Sequence, residues 1–155
     1  MNPLVRTELL KQRTLRILYL GVLSAPLVAG LVAVAVLGGA GRDGNGPLGP
    51  DSLAQTIGAP ASVITIVALL LGILGTAGEY RHETITTTFL STPRRRNVVL
   101  AKLVAHSLIG ALIGVLSLTV TIAIGVPWLQ AEHIDTHVDG DLLRVMVGVL
   151  VSTAL

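Results

Sequence analysis

The stretch IGAPASVITIVALLLGILGTA, residues 57–77, carries no charged side chain in 21 positions and runs directly into the polar segment GEYRHETITTTFLSTPRRRNVVLAK, residues 78–102. A helix rises about 1.5 Å per residue, so 21 residues reach about 30 Å, the thickness of the hydrocarbon core of a bilayer. Working outward, residues 17–37 form a second charge-free run of 21 and residues 103–129 a third of 27, one on each side of the first in sequence. With 52% hydrophobic and only 13% charged residues in 155, the chain exceeds what one soluble core requires. The expectation is an all-α, multi-pass transmembrane protein in which residues 1–155 form a single domain. It has three full spans, an N-terminal interfacial helix over 1–16 and the start of a fourth span over 145–155.

Composition removes several function classes. There is no cysteine, so neither a disulfide framework nor a thiolate metal site is available. Nucleic-acid binding needs a basic face interleaved with aromatics, and the aromatics are only Tyr19, Tyr80, Phe89 and Trp128. The glycine-rich connection GGAGRDGNGPLGPDSLAQT, residues 38–56, is expected to be a loop on the far side; it lacks the Gly-Lys-Ser/Thr of a phosphate-binding loop. The two lysines, Lys11 and Lys102, follow Leu10 and Ala101. No ATP site and no other cofactor is expected in this chain.

Residues 1–16 place Arg6, Arg13 and Arg16 on one side of a helical projection, with Leu9 among them and Lys11 near Leu4 and Leu15. A weakly amphipathic interfacial helix and a solvated topogenic tail both fit this pattern. The first apolar run exceeds the 7–15 residues of a signal h-region, which favours a span with Pro26 inside it over a cleaved leader. Orientation follows from counting basic residues: four in the tail and five in 78–102, against Arg42 alone in 38–56 and none in 130–141. The positive-inside bias puts the N-terminus and the 78–102 loop in the cytoplasm. Tyr80 and Trp128 stand where headgroup-level aromatics belong, and Gly110 with Gly114 offers a close-packing site for another helix. The fourth apolar run spans only 11 residues to Leu155, which is too short to cross, so the chain is expected to be the N-terminal portion of a longer protein.

Within the polar loop, a helix over 79–91 would align Arg81, Ile85 and Phe89 on one stripe and Glu79, Glu83, Thr86 and Leu90 on another. The β-branched run Thr84 to Thr88 lowers its intrinsic helicity, so it would need a partner or a membrane surface. Thr92-Pro93 signals a break and a helix restart, which sets Arg94, Arg95 and Arg96 in a first turn, the wrong end of the helix dipole for cations. Anionic lipid accounts for three such arginines at about 1 kcal/mol each.

The strings Glu79-Tyr80-Arg81-His82-Glu83-Thr84-Ile85, Phe89-Leu90-Ser91-Thr92-Pro93-Arg94-Arg95 and Ala101-Lys102 resemble the loop between the second and third membrane helices of ABC-2 type transporter permeases. That loop typically reads E-x-R-x-G-T, then a leucine and T-P, then basic residues and a lysine. This chain departs from it at Glu83, where the family often has glycine. The resemblance implies a six-helix subunit with 1–16 as its elbow helix and 78–102 as the coupling loop that docks on a separate ATP-binding ABC subunit. A second permease subunit would complete the transporter, and a bacterial inner membrane would house it. By the same match Glu79, Arg81 and Thr84 would shape the loop, Ile85, Phe89 and Leu90 would be the apolar residues available for the ATPase groove, and Pro93 belongs to the same coupling loop; Arg94, Arg95, Arg96 and Lys102 are read from their charge as topology and lipid residues. The chain itself would not be an enzyme. The three spans hold no Asp, Glu, Lys or Arg, and their one imidazole, His106, stands four residues into the third, so a carrier of this kind draws its energy from outside its own chain.

Two rival readings remain. One is a non-transporting membrane anchor or assembly factor whose basic loop holds lipid or a protein. The other rests on His133, Asp135, His137, Asp139 and Asp141 at alternate positions of the outer segment, where His133 and His137 have i, i+4 spacing and Asp135 lies between them as a weak metal-ligand set.

Overall fold

The computed structural model describes Leu10 and residues 16–40, 47–49, 51–81, 95–134 and 140–155. Among these residues the chain is all-helical, in the order α1 (Arg16–Gly38), α2 (Ser52–Gly58), α3 (Ala61–Arg81), α4 (Arg95–Ala131) and α5 (Gly140–Ala154). Three stretches are long and apolar enough to cross a membrane: Tyr19–Gly38, Ser52–Leu74 and Val98–Ala131. The interfacial helix expected over 1–16 lies outside the described residues, apart from Leu10 and from Arg16, which opens α1.

Side-chain size, rather than polarity, sorts the faces of α1. Gly21, Ala25, Ala29 and Ala33 recur every fourth residue and are buried, while Leu20, Leu23, Leu27 and Leu31 point outward, each between 63% and 68% exposed. In water that arrangement forfeits about 1.5–3 kcal/mol per leucine. Lipid tails are as apolar as leucine, so in a bilayer large side chains face out and small ones let helix backbones approach. The small stripe meets α4 and α3, where Ala25 and Ala29 join Ile64, Ile109 and Ile113 in one buried cluster. A Cβ at Gly30 would stand 3.1 Å from Val120 Cγ1 and 3.2 Å from Ile124 Cδ1, so the two backbones are already near their closest approach.

The loop expected over 38–56 ends earlier than its composition suggests, because Ser52–Gly58 is helical. Ser52, Leu53, Thr56 and Ile57 are buried against α4 and α5. Burial of the hydroxyls is possible because both are satisfied locally: Ser52 Oγ accepts the Gly49 N–H at 2.8 Å and Thr56 Oγ1 donates to the Ser52 carbonyl at 2.6 Å. The backbone stays right-handed helical at Ala59 (φ −56°, ψ −45°), and Ile64 N–H returns to the Pro60 carbonyl at 3.0 Å. Buried Pro60, which has no N–H to give, thus joins α2 to α3 as two parts of one apolar span.

α4 has 37 residues, a length of about 55 Å. It overreaches the hydrocarbon core and is helical from Arg95; the restart expected at Pro93 lies outside the described residues. The helix that carries the fourth apolar run is already formed at Gly140, five residues before that run opens at Val145. Gly110 and Gly114 of α4 take the C-terminal turn of α5: a Cβ at Gly110 would collide with the Thr153 carbonyl oxygen, and one at Gly114 with Thr153 Oγ1. The close-packing role read from that glycine pair is therefore filled by α5.

Candidate functional site

α3 carries its helix past the last apolar residue to Arg81, so Glu79 and Arg81 continue a membrane-length helix. Of the other residues expected to act in the loop, Thr84, Ile85, Phe89, Leu90, Pro93 and Arg94 lie outside the described residues. Arg95 and Arg96 are the first described residues of α4, and Arg96 is exposed. Val98, Lys102 and His106 follow at four-residue intervals on the side of α4 that turns toward α3. His106 Nδ1 lies 2.8 Å from the Lys102 carbonyl. A carbonyl only accepts, so this bond requires the proton on Nδ1. The imidazole Cδ2 is the nearest atom to a Cβ built on Gly72, at 3.9 Å.

At this end of the bundle α3 and α4 part around a cleft of about 820 Å³ whose remaining wall is the last turn of α5. Leu69, Ile73, Val99 and Leu103 make its apolar sides; Lys102 and His106 lie toward the Arg95 end of α4; Thr65, Ser107, Ser152 and Thr153 contribute hydroxyls. Three of those hydroxyls are bonded to their own helices, as serine and threonine in apolar helices commonly are. Thr65 Oγ1 donates to the Ala61 carbonyl at 2.8 Å, Ser152 Oγ to Val149 at 3.0 Å, and Thr153 Oγ1 to Val149 at 2.9 Å. Thr65 Oγ1 also lies 3.1 Å from Ser152 Oγ, so its one proton can go either to the Ala61 carbonyl or across to α5. None of these four hydroxyl residues was singled out from sequence; the available signal was their position inside otherwise apolar runs.

The opposite end is closed. Leu37, Leu53, Ile57, Leu118, Leu129, Leu142 and Val149 form one buried cluster drawn from α1, α2, α4 and α5, with Trp128 packed at its edge. Here His133 has a structural task. Its φ is 58°, the left-handed region, and it follows the last turn of α4. His133 N–H donates to Gln130 at 3.1 Å and Ile134 N–H to Leu129 at 3.0 Å, which is the paired bonding of a Schellman cap. Ile134 then packs on the cluster that contains Leu129, completing the cap's hydrophobic contact. Asp135 and His137 lie outside the described residues, and among the described residues no three His, Asp or Glu side chains gather as a metal site. Arg144 and Asp141 pair at 3.2 Å on the exposed start of α5, a contact worth a few tenths of a kcal/mol at most.

No family model, no curated protein and no solved structure matches this chain.

Proposed function

We propose that the chain is the membrane-spanning part of an ABC-2 type permease, a subunit that exports a substrate with ATP hydrolysed by a separate ATP-binding subunit. The observation that carries this reading is the 78–102 segment: its family-like string Glu79-Tyr80-Arg81, Thr92-Pro93-Arg94-Arg95 and Ala101-Lys102 joins two membrane-length helices, α3 and α4. A coupling loop has to transmit force, and rigid helices on both flanks suit that task. α3 is helical through Arg81 and α4 from Arg95, on either side of the segment that carries the string. In this reading the loop and the N-terminus face the cytoplasm of a bacterial cell, and a second permease subunit pairs with this one. Ile85, Phe89 and Leu90 meet the ATPase, which closes on ATP and shifts the loop and the helices attached to it.

The test is recovery of the full-length protein from its own membrane in mild detergent, with its companions identified by mass spectrometry. A stoichiometric ATPase bearing a P-loop is expected, and Phe89→Asp or Ile85→Asp is expected to release it while the permease stays folded. The second reading, a lipid-holding anchor or assembly factor without transport, draws on the exposed Arg96 at the start of α4. That reading gains if no ATPase is recovered and changing Arg94, Arg95 and Arg96 to Gln is what weakens membrane or partner association.

A further inference from the structure

The buried polar side chains among the described residues are five hydroxyls: Ser52 and Thr56 of α2, Ser117 and Thr121 of α4, and Thr153 of α5. They collect along one seam. On α4 it follows Gly110, Gly114, Ser117, Thr121 and Gly125, spaced by three or four residues and therefore on one face. Thr153 sits on Gly110 and Gly114, while Leu53 Cδ1 and Thr56 Cγ2 would stand 3.0 and 3.9 Å from a Cβ built on Gly125. From Gly110 to Gly125 the seam runs about 22 Å, most of the thickness of the hydrocarbon core.

Hydroxyls between membrane helices commonly bond across the contact and hold it together. Those of the seam do not. Thr56 Oγ1 donates to the Ser52 carbonyl, Thr121 Oγ1 to Ser117 and Thr153 Oγ1 to Val149, each within its own helix, and Ser52 Oγ accepts the Gly49 N–H. Ser117 Oγ is fully buried and has no partner among the described residues. Parting α4 from α2 and α5 therefore breaks none of these hydroxyl bonds, and it bares their unused lone pairs together with the uncommitted hydroxyl of Ser117. The contact between α4 and α1 is the comparison, where Ala29 and Gly30 meet a wall that includes Ile113, Val120 and Ile124. Parted, those side chains would offer a polar solute nothing.

We propose that α4 parts from α2 and α5 along this seam to pass an uncharged, hydrogen-bonding solute, which Ser117 binds midway. The proposal rests on the export reading and adds to it a route and a class of solute. Between Gly110 and Gly125 the α4 face carries no ionisable side chain, so a charged solute would lose its hydration without gaining a counter-charge. An unpartnered hydroxyl costs the closed arrangement free energy, and use of that hydroxyl in the parted one accounts for its presence. α2 has to move as well at the Trp128 end, which makes the parted arrangement a minor one at rest.

The chain has no cysteine, so a single introduced thiol reports on one position. Full-length Ser117→Cys, Thr121→Cys and Thr153→Cys are compared with Ala29→Cys and Ile113→Cys, buried positions at the α1 contact, in open membrane sheets from the producing cells. The probe is methyl methanethiosulfonate, an uncharged reagent that attacks thiolate where water reaches it. The seam thiols are expected to react at least about tenfold faster than the two at the α1 contact, as a minor open state allows. The anionic sulfonatoethyl and cationic aminoethyl reagents should react at Ser117→Cys about tenfold more slowly than the methyl one, each rate taken relative to a free thiol. Equal rates at the seam and at the α1 contact would overturn the route. Equal rates for charged and uncharged reagents would overturn the class of solute. Only variants that remain monodisperse are compared, and Thr121→Cys and Thr153→Cys decide the outcome if Ser117→Cys does not fold. Recovery of an ATPase bears on export and not on these rates, so the two readings fail separately.

Discussion

At the Trp128 end of the bundle, leucines and isoleucines from α1, α2, α4 and α5 close on one another. At the Lys102 end, α3 and α4 stand apart around a cleft of about 820 Å³. The contrast arises from one short element. α2 inserts Leu53 and Ile57 into the first end, and no equivalent plug is present at the second among the described residues. The closed end is therefore where stability is concentrated, and the open end is where something can bind or move.

That contrast is most directly broken in the closed core. Leu129→Ala and Ile57→Ala, each at a site no more than 2% exposed, should cost about 2–5 kcal/mol, whereas Leu103→Ala on the cleft wall should cost under about 1 kcal/mol. Unfolding of each variant in one fixed detergent checks this; equal losses would mean that the two ends are packed alike. A smaller effect is expected at the glycines. Gly110→Ala meets the Thr153 backbone carbonyl, which cannot rotate away, and should cost about 3 kcal/mol. Gly72→Ala meets only the edge of His106 at ordinary contact distance and should be nearly neutral by the same assay.

Two further substitutions should stabilise the protein. Ser117 is fully buried on α4, and its Oγ has no hydrogen-bond partner among the described residues. Ser117→Ala removes that unsatisfied group and should gain about 1 kcal/mol. If it destabilises instead, the hydroxyl has a partner in the assembled protein. The smallest effect belongs to the cap of α4. His133→Gly relieves about 1–2 kcal/mol of left-handed strain and returns about 0.5–1 kcal/mol as glycine's extra unfolded entropy. A net gain of roughly 0.5 kcal/mol is expected, read as a slightly raised melting temperature with no change in bound zinc by elemental analysis. Zinc present in the wild type and lost from this variant would support the metal reading of the outer segment.

The spans were legible because charge-free length is a one-dimensional property, so α1, α3 and α4 could be located without knowing their neighbours. The Gly110 and Gly114 pair was equally legible as a place of close approach, although not which helix approaches. Ser52–Gly58 was not legible as a helix. Its serine, glutamine and threonine, flanked by glycine and proline, carry the composition of a loop, and only packing against α4 and α5 makes the helical arrangement favourable. His133 has a role that its spacing to His137 does not show: its backbone angle and bonding mark it as the cap of α4, while His137 lies outside the described residues. The loop residues Thr84, Ile85, Phe89 and Leu90 rest on resemblance alone, since they lie outside the described residues.

The sequence by itself determined the solvent for which this chain is built and the places where it changes direction. Continuous apolar runs require lipid, and clustered arginine, glycine and proline interrupt them. Tertiary structure decided what occupies the inside. Between helices bathed in lipid there is no hydrophobic difference to sort leucine inward, so contact is chosen by shape, and shape depends on which helices meet. That is why the alanine stripe of α1, the seat of Thr153 on Gly110 and the cleft beside Lys102 emerged only once α1 to α5 were placed together.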